Sequence, residues 1–331
     1  MATGDINNDG PTDMIIGANE AGSGDGGEAY VVFGPVTAEV MDLSAQADLT
    51  VNGAAGDISA QGVAAGDLNG DGVDDLIVGA ERAAPGGITR AGETYVIFGP
   101  QGAGTLNLAA DAAITISGIN AFDLSGISVG SGDLNGDGTA DLIIGAQGAD
   151  PSGRSDAGTV YVIFGPIPAG LMSLASDADV VFNGISAGDA LSSPIGIGDI
   201  NNDGADDLII GAVAAAGNAG EYYVIFGPVA TGTLEVTIEA DVTASGIFAG
   251  DSSGYEVNGG DFNNDGVDDL LIGAPLADPD GRNAAGQAYV VLGPFISGSI
   301  ALSTDADVIY NGISAVDQLA GVSTGDANND G

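Results

Sequence analysis

One nine-residue stretch, Asp-x-Asn-x-Asp-Gly-x-x-Asp, returns along the whole chain, and any fold must repeat with it. Complete copies begin at Asp5, Asp67, Asp133, Asp199 and Asp261; a sixth starts at Asp326 and stops at Gly331, before its last carboxylate. The starts lie 62 to 66 residues apart in a chain of 331 residues. Such a period indicates one supersecondary unit per repeat, with neighbours sharing a continuous core. The expected organisation is one repeat domain over residues 1–331, where length alone would suggest two or three domains.

The spacing suits a hard cation. On a tightly turned loop the oxygens at positions one, three and five converge, and glycine at position six permits the reversal because φ > 0 costs it little. A carbonyl at position seven and the Asp at position nine then close the shell. The oxygen logic is that of the EF-hand calcium loop, although no Glu follows at position twelve. The candidate ligands are Asp5, Asn7, Asp9, the Pro11 carbonyl and Asp13 in the first loop, and Asp67, Asn69, Asp71, the Val73 carbonyl and Asp75 in the second. The third offers Asp133, Asn135, Asp137, the Thr139 carbonyl and Asp141; the fourth offers Asp199, Asn201, Asp203, the Ala205 carbonyl and Asp207. The fifth offers Asp261, Asn263, Asp265, the Val267 carbonyl and Asp269. An all-protein oxygen cage favours Ca²⁺ over Mg²⁺, which keeps its waters. With no Cys and no His, softer metals lack their usual ligands. The competing reading is an Asx-rich turn that binds nothing; five complete copies weigh against it. About five Ca²⁺ are expected, one per complete loop.

Net charge is −43, from 47 acids against 4 bases. Nucleic acid is excluded as a partner on that balance, since there is no basic footprint. The apolar runs are too short to span a membrane, and no signal-peptide pattern is visible at Met1. Cysteine is absent, so any staples are ionic. Weak loops of this type work at millimolar calcium, which favours an extracellular or cell-surface setting.

Between loops the text is β throughout. In the second repeat Gly62–Gly66, Leu76–Ala80, Thr94–Pro100 and Ala113–Ser117 read as four short strands, and a Pro- and Gly-rich loop spans Glu81–Gly92. The series recurs in every repeat. The 58 glycines would break most helices. Four short antiparallel strands per repeat, about five times over, indicate an all-β fold, a β-propeller of four-stranded blades.

Phe-Gly before Pro at 33–35, 98–100, 164–166 and 226–228, together with Gly-Ala after each metal loop, resembles the FG-GAP repeat of integrin α-subunits and many bacterial surface proteins. The fifth repeat departs with Leu292-Gly293. The resemblance covers essentially the whole chain. It implies a propeller with the metal loop between a blade's first and second strands, and an adhesive or structural module with a protein or cell-surface ligand. By the family's blade boundaries the first repeat lacks its first strand, and residues 321–325 form an unpartnered one. Three outcomes stay open: a ring closed by pairing those ends, self-association through the chain ends, or a window from a longer array.

Other residues have ordinary readings. All four bases are arginines, Arg82, Arg90, Arg154 and Arg282, in the loops between second and third strands. They are expected to clip to nearby Asp or to loop carbonyls. Tyr30, Tyr95, Tyr161, Tyr223 and Tyr289 share one repeat position, so they should pack in the core with hydroxyls satisfied locally. The absence of Trp weakens a carbohydrate-binding face. A glycan-active hydrolase or lyase is the alternative from another class, but periodic Asp residues without His, Cys or Lys leave few catalytic groups. The expectation is no enzyme.

Overall fold

Short runs of β-branched residues bounded by glycine become the second and third strands of each repeat, and the second strands of the last four repeats are buried throughout. The computed structural model describes residues 1–36 and 40–319. It divides into two compact units, one of residues 1–133, 137–149 and 160–181, the other of residues 134–136, 150–159 and 182–331.

In the first unit, Ala2–Gly4, Asp13–Ala18, Glu28–Val32 and Leu49–Asn52 form one antiparallel sheet. Ser59–Gly66, Asp75–Ala80, Glu93–Ile97 and Ile114–Ser117 form the next. In the second unit, Leu191–Gly198, Asp207–Ala212, Glu221–Ile225 and Val242–Ser245 make a third example. Glu256–Gly260, Asp269–Ala274, Gln287–Val291 and Val308–Asn311 make a fourth. The remaining sheet runs Ser125–Gly132, Asp141–Ala146, Thr159–Ile163, Val180–Asn183. The fold class is thus all-β, with five small sheets as the blades of a β-propeller.

Two features depart from the sequence reading. The first repeat does not lack its first strand: Ala2–Gly4 pairs with Asp13–Ile15. A strand of three residues carries too little alternation to be seen in sequence. Second, the blades gain a fifth strand. Gly104–Asn107 lies parallel to Leu49–Asn52 of the repeat before it, Gly170–Ser173 to Ile114–Ser117, and Gly298–Ala301 to Val242–Ser245. These segments hold four residues each, with one or two apolar positions, so no period marks them. A single helical turn follows, and its last Asp folds back on the strand's final N–H: Asp111 accepts from Asn107 at 2.7 Å and Asp305 from Ala301 at 2.7 Å.

The core sits between successive blades. Ile15, Ala29, Val31, Leu49 and Val51 of the first repeat pack against Leu76, Val78, Tyr95, Ile97 and Leu108 of the second. The same arrangement joins Ile209, Val224, Val242 and Ala244 to Leu270, Ile272, Tyr289, Val291 and Leu302. Each blade therefore presents one set of alternating residues backwards and the other forwards, as the period of two requires. The expected strand at residues 321–325, the ring closure through it and the sixth loop copy lie outside the described residues.

Candidate metal loops

Each complete loop joins a first strand to a second, as the sequence reading placed it. Glycine at position six is left-handed in all five, with φ between 87° and 101° at Gly10, Gly72, Gly138, Gly204 and Gly266. In the second loop the position-one carboxylate of Asp67 faces inward. Its two oxygens accept the N–H groups of Gly70, Asp71 and Gly72 at 2.7–3.0 Å. Asn69 Oδ1 accepts from Asp71 N–H at 2.9 Å, and Asp71 Oδ1 from Val73 N–H at 3.0 Å. The same pattern recurs at Asp5, Asp199 and Asp261, each accepting from the glycine at position six. Positions one, three, five and nine are thus drawn into one turn by the loop's own backbone donors.

Position nine does more than close the loop. Asp13, Asp75, Asp141, Asp207 and Asp269 are all buried. One oxygen of Asp75 accepts the Gly99 N–H at 2.9 Å, and the other accepts the Leu68 N–H at 3.1 Å. Equivalent bonds tie Asp13 to Gly34 and Ile6, Asp207 to Gly227 and Ile200, and Asp269 to Gly293 and Phe262. Asp141 accepts from Gly165 at 2.9 Å. The glycine is in each case the one before the proline that ends the third strand. One carboxylate therefore clamps loop, second strand and third-strand turn together. Sequence reasoning treated position nine as a metal ligand alone and missed the clamp.

Burial is the main force on these carboxyls. It pushes Asp75 up to about 6 and Asp207 up to about 7, against the backbone N–H donors that favour the ionised form. Asp13 is raised for the same reason. Asp261, on the exposed lip of its loop, is instead held below the usual carboxylate range, chiefly by the Gly266 N–H.

Among the described residues no three acidic side chains stand together as a ready carboxylate cage. The donor set nevertheless fits a hard cation, because each loop mixes carboxylate, amide and carbonyl oxygens. Asn201 Oδ1, at position three of the fourth loop, is buried without a hydrogen-bond partner. An unpaired buried acceptor is costly, and a cation in the loop would satisfy it.

Successive loops also grip one another. The Asp5 N–H donates to Asp74 of the second loop at 2.8 Å, and the Asp199 N–H to Asp268 of the fifth at 3.1 Å. The residue after each Gly-Pro reaches back to position two of the preceding loop: Gln101 N–H to Ile6 O, Ile167 to Leu68, Val229 to Leu134 and Phe295 to Ile200.

The model of the family described as FG-GAP repeat matches residues 59–97, 125–163 and 253–291. Each match runs from a first strand through the candidate metal loop to the end of a third strand. These three segments are FG-GAP repeats. Among curated proteins it is similar to phosphatidylinositol-glycan-specific phospholipase D of Homo sapiens, 29% identical over 188 residues, covering 55% of this chain and 22% of that protein. It is also similar to integrin alpha-IIb of Homo sapiens, 33% identical over 159 residues, covering 46% of this chain and 14% of that protein. The matched region is thus less than a quarter of either relative's length. Among solved structures, the V. cholerae biofilm matrix protein Bap1 overlays 93% of this chain and 38% of its own, at 16% identity and a TM-score of 0.41.

The clamp gives the FG-GAP motif a physical content: its Phe-Gly glycine is the donor to position nine. The residue before that glycine is held as well. Asp48, Asp179, Asp241 and Asp307 each accept the N–H of Phe33, Phe164, Phe226 or Leu292 at 2.9 Å. Leu292 thus replaces Phe without loss of this contact. The signal was present in sequence as an Ala-Asp pair before each of these fourth strands; Ala113 breaks it in the second repeat.

Tyr30, Tyr95, Tyr223, Tyr289 and Arg282 behave as read, whereas Arg154 and Arg82 meet Glu in place of the expected Asp or loop carbonyl. Tyr95 and Tyr223 donate to Glu93 and Glu221 at 2.6 Å, Tyr289 to Gln287 at 2.8 Å, and Tyr30 to Glu28. Arg154 forks onto both oxygens of Glu235 at 3.1 and 2.8 Å, and Arg282 reaches Asp280 and the Gly312 carbonyl. Arg82 meets Glu81 at 3.4 Å. A cavity of about 420 Å³ opens beside Phe248, Asp251, Asp278, Asp280 and Gln287. Two of its three acids, Asp278 and Asp280, have structural duties. Asp278 accepts the Ala284 N–H as Asp150 accepts that of Asp156, and Asp280 is paired with Arg282.

Proposed function

We propose that this chain is a calcium-stabilised FG-GAP propeller module that serves in adhesion or protein interaction at the cell surface or outside the cell. The observation that carries it is the loop: five copies of one hard-oxygen set, each wired by position nine into its own blade. The candidate ligands are the Asp, Asn, Asp and Asp at positions one, three, five and nine, with the carbonyl at seven. A bound ion would neutralise part of an acidic surface and stiffen each corner between first and second strands. Similarity to integrin alpha-IIb and to the phospholipase supports an interaction role for the repeats. The ion's role is structural, and no enzymatic activity is assigned.

Calorimetric titration of chelated protein with Ca²⁺ and with Mg²⁺ tests the reading, alongside thermal melts. Saturable heat with Ca²⁺, about five ions per chain, and a higher melting temperature are expected. No heat and no shift would remove the calcium assignment. A carbohydrate-binding reading rests on the cavity beside exposed Phe248; a glycan array with no signal would dismiss it.

A further inference from the structure

The candidate metal loops are not joined to one another in the same way. Position one is the pivot of a loop. In the first loop the Asp5 carboxylate accepts the N–H groups of Asp9 and Gly10 at 3.1 and 3.0 Å. In the fourth, Asp199 accepts those of Asp203 and Gly204, both at 3.0 Å. The backbone N–H of the same residue leaves its own loop. Asp5 donates to Asp74 at 2.8 Å, and Asp199 donates to Asp268 at 3.1 Å. Asp74 and Asp268 stand at position eight of the next loop along the chain, outside the expected ligand set.

Position eight is bracketed by candidate ligands. The Val73 carbonyl and Asp75 flank Asp74, and the Val267 carbonyl and Asp269 flank Asp268. Whatever draws positions seven and nine together therefore fixes the backbone between them. The two loops of each pair meet a second time through the position-nine clamp. Asp75 holds Gly99, and two residues on, Gln101 donates to the Ile6 carbonyl at position two of the first loop. Asp269 holds Gly293, and Phe295 donates to the Ile200 carbonyl in the same way. Two arms of the later loop thus converge on positions one and two of the earlier one.

The carboxylate arm needs room, and it is not general. A Cβ on Gly4 would stand 2.9 Å from Asp74 Oδ2, and one on Gly198 would stand 2.6 Å from Asp268 Oδ2. The residue before position one must therefore be bare for the carboxylate to enter. Between the second and third loops a glycine is kept at Gly66, but it faces the Ser131 hydroxyl and the Ala140 methyl. Ala140 holds position eight of the third loop and has no side-chain oxygen. The Ile167 N–H still reaches the Leu68 carbonyl at 2.7 Å. This junction keeps the clamp arm and lacks the carboxylate arm.

We propose that Asp74 couples calcium binding between the first and second loops, and Asp268 between the fourth and fifth, so that each pair fills cooperatively. The second and third loops, without that carboxylate, fill independently. The inference rests on the calcium reading of the loops. The coupling is a shared ordering cost. An ion in the later loop fixes the residues on either side of the carboxylate, which then holds the pivot of the earlier loop, so the second ion has less to order. By linkage the earlier loop acts on the later by the same factor. Repulsion between the two ions opposes this, but exposed charges are screened over about 8 Å at physiological salt. The linking hydrogen bonds are half-buried.

The test reads each loop separately by the amide signal of its position-six glycine. The full chain, isotope-labelled at glycine, is titrated with Ca²⁺ and followed by nuclear magnetic resonance. Asp71→Ala silences the second loop. The Gly10 midpoint should then move to higher calcium by at least about fivefold, while the Gly138 midpoint moves by less than about twofold. In an Asp74→Ala background the same silencing should add no further shift at Gly10. Asp74→Asn keeps an acceptor oxygen without the charge and should retain the coupling. Asp265→Ala and Asp268→Ala, read at Gly204, repeat the cycle in the other pair and carry the test if melts in chelator show Asp74→Ala unfolded. Glycine signals that never respond to Ca²⁺ would remove the calcium reading, and this proposal with it. Signals that titrate, with a Gly10 midpoint indifferent to Asp71→Ala, would overturn the coupling alone. So would an equal shift at Gly138, a shift that persists in Asp74→Ala, or an Asp74→Asn protein that behaves as Asp74→Ala.

Discussion

Alanine at Gly79 should break the junction between the second and third repeats. A Cβ there would lie 1.8 Å from the carbonyl oxygen of Gly126 and 2.7 Å from its carbon. Both are backbone atoms of the next repeat's first strand. That strand is bulged between Ser125 and Ser128, and Gly126 itself has φ +84°, which turns its carbonyl towards Gly79. Ordinary carbon–oxygen contact needs well over 3 Å, so the strands must part by more than about 1 Å, far beyond what a flexible side chain gives by rotating. Overpacking by a methyl group against movable side chains costs roughly 1–3 kcal/mol. Against fixed backbone the cost should reach about 3 kcal/mol or more, with the inter-blade core loosened as well. Gly102→Ala is the control, because a Cβ there meets nothing within 4 Å and φ is not left-handed. It should be neutral or stabilise by up to about 1 kcal/mol through the unfolded state. Denaturant unfolding of parent and both variants, in the same calcium concentration, reads the difference. A Gly79→Ala protein within about 1 kcal/mol of the control would refute the close-approach argument.

Four further outcomes follow from the loops and the core. Asp75→Ala strands the half-buried Gly99 N–H, leaves the buried Leu68 N–H only the Gly66 carbonyl, and should lower stability even in chelator, by about 2 kcal/mol. Asp71→Ala, at an exposed position, should chiefly remove the calcium-dependent increment, which melts with and without chelator would separate. The chelated protein should gain stability as pH falls from about 7 towards 5. Asp207 and Asp75 are raised by burial to about 7 and 6, so their protonation favours the folded state, and that contribution is lost as pH rises through these values. Excess calcium should reverse the trend by holding the same groups ionised; a flat profile in chelator would contradict the burial argument. Tyr222 is fully buried and its hydroxyl has no partner, so Tyr222→Phe should leave stability unchanged or raise it by about 1 kcal/mol in thermal melts.

Much of the architecture was legible because it is local. Alternation, β-branched runs such as Leu142–Ala146 and glycine at position six of each loop mark strands and turns within a few residues. The FG-GAP resemblance followed from the same short texts. The loop's inward wiring, with Asp67 bonded to Gly70, Asp71 and Gly72, also depends only on neighbours in sequence. Arg154 is expected on a nearby Asp or a loop carbonyl and instead meets Glu235, 81 residues away, because sequence distance says little about which loops the blades bring together.

What the sequence determined by itself is the repeat: its period, its strand order, its five oxygen-rich loops and the satisfied tyrosines. Only the tertiary structure decided what each repeat does for its neighbour. Asp75 reaches Gly99 across 24 residues, Gly104–Asn107 joins the sheet of the repeat before it, and Gly79 faces Gly126 backbone to backbone. The physical reason is that local propensity is the same in every repeat, whereas contact depends on which blade lies next. Val242 is core because Gly298 of the following repeat lies beside it, which no residue near Val242 in sequence could reveal.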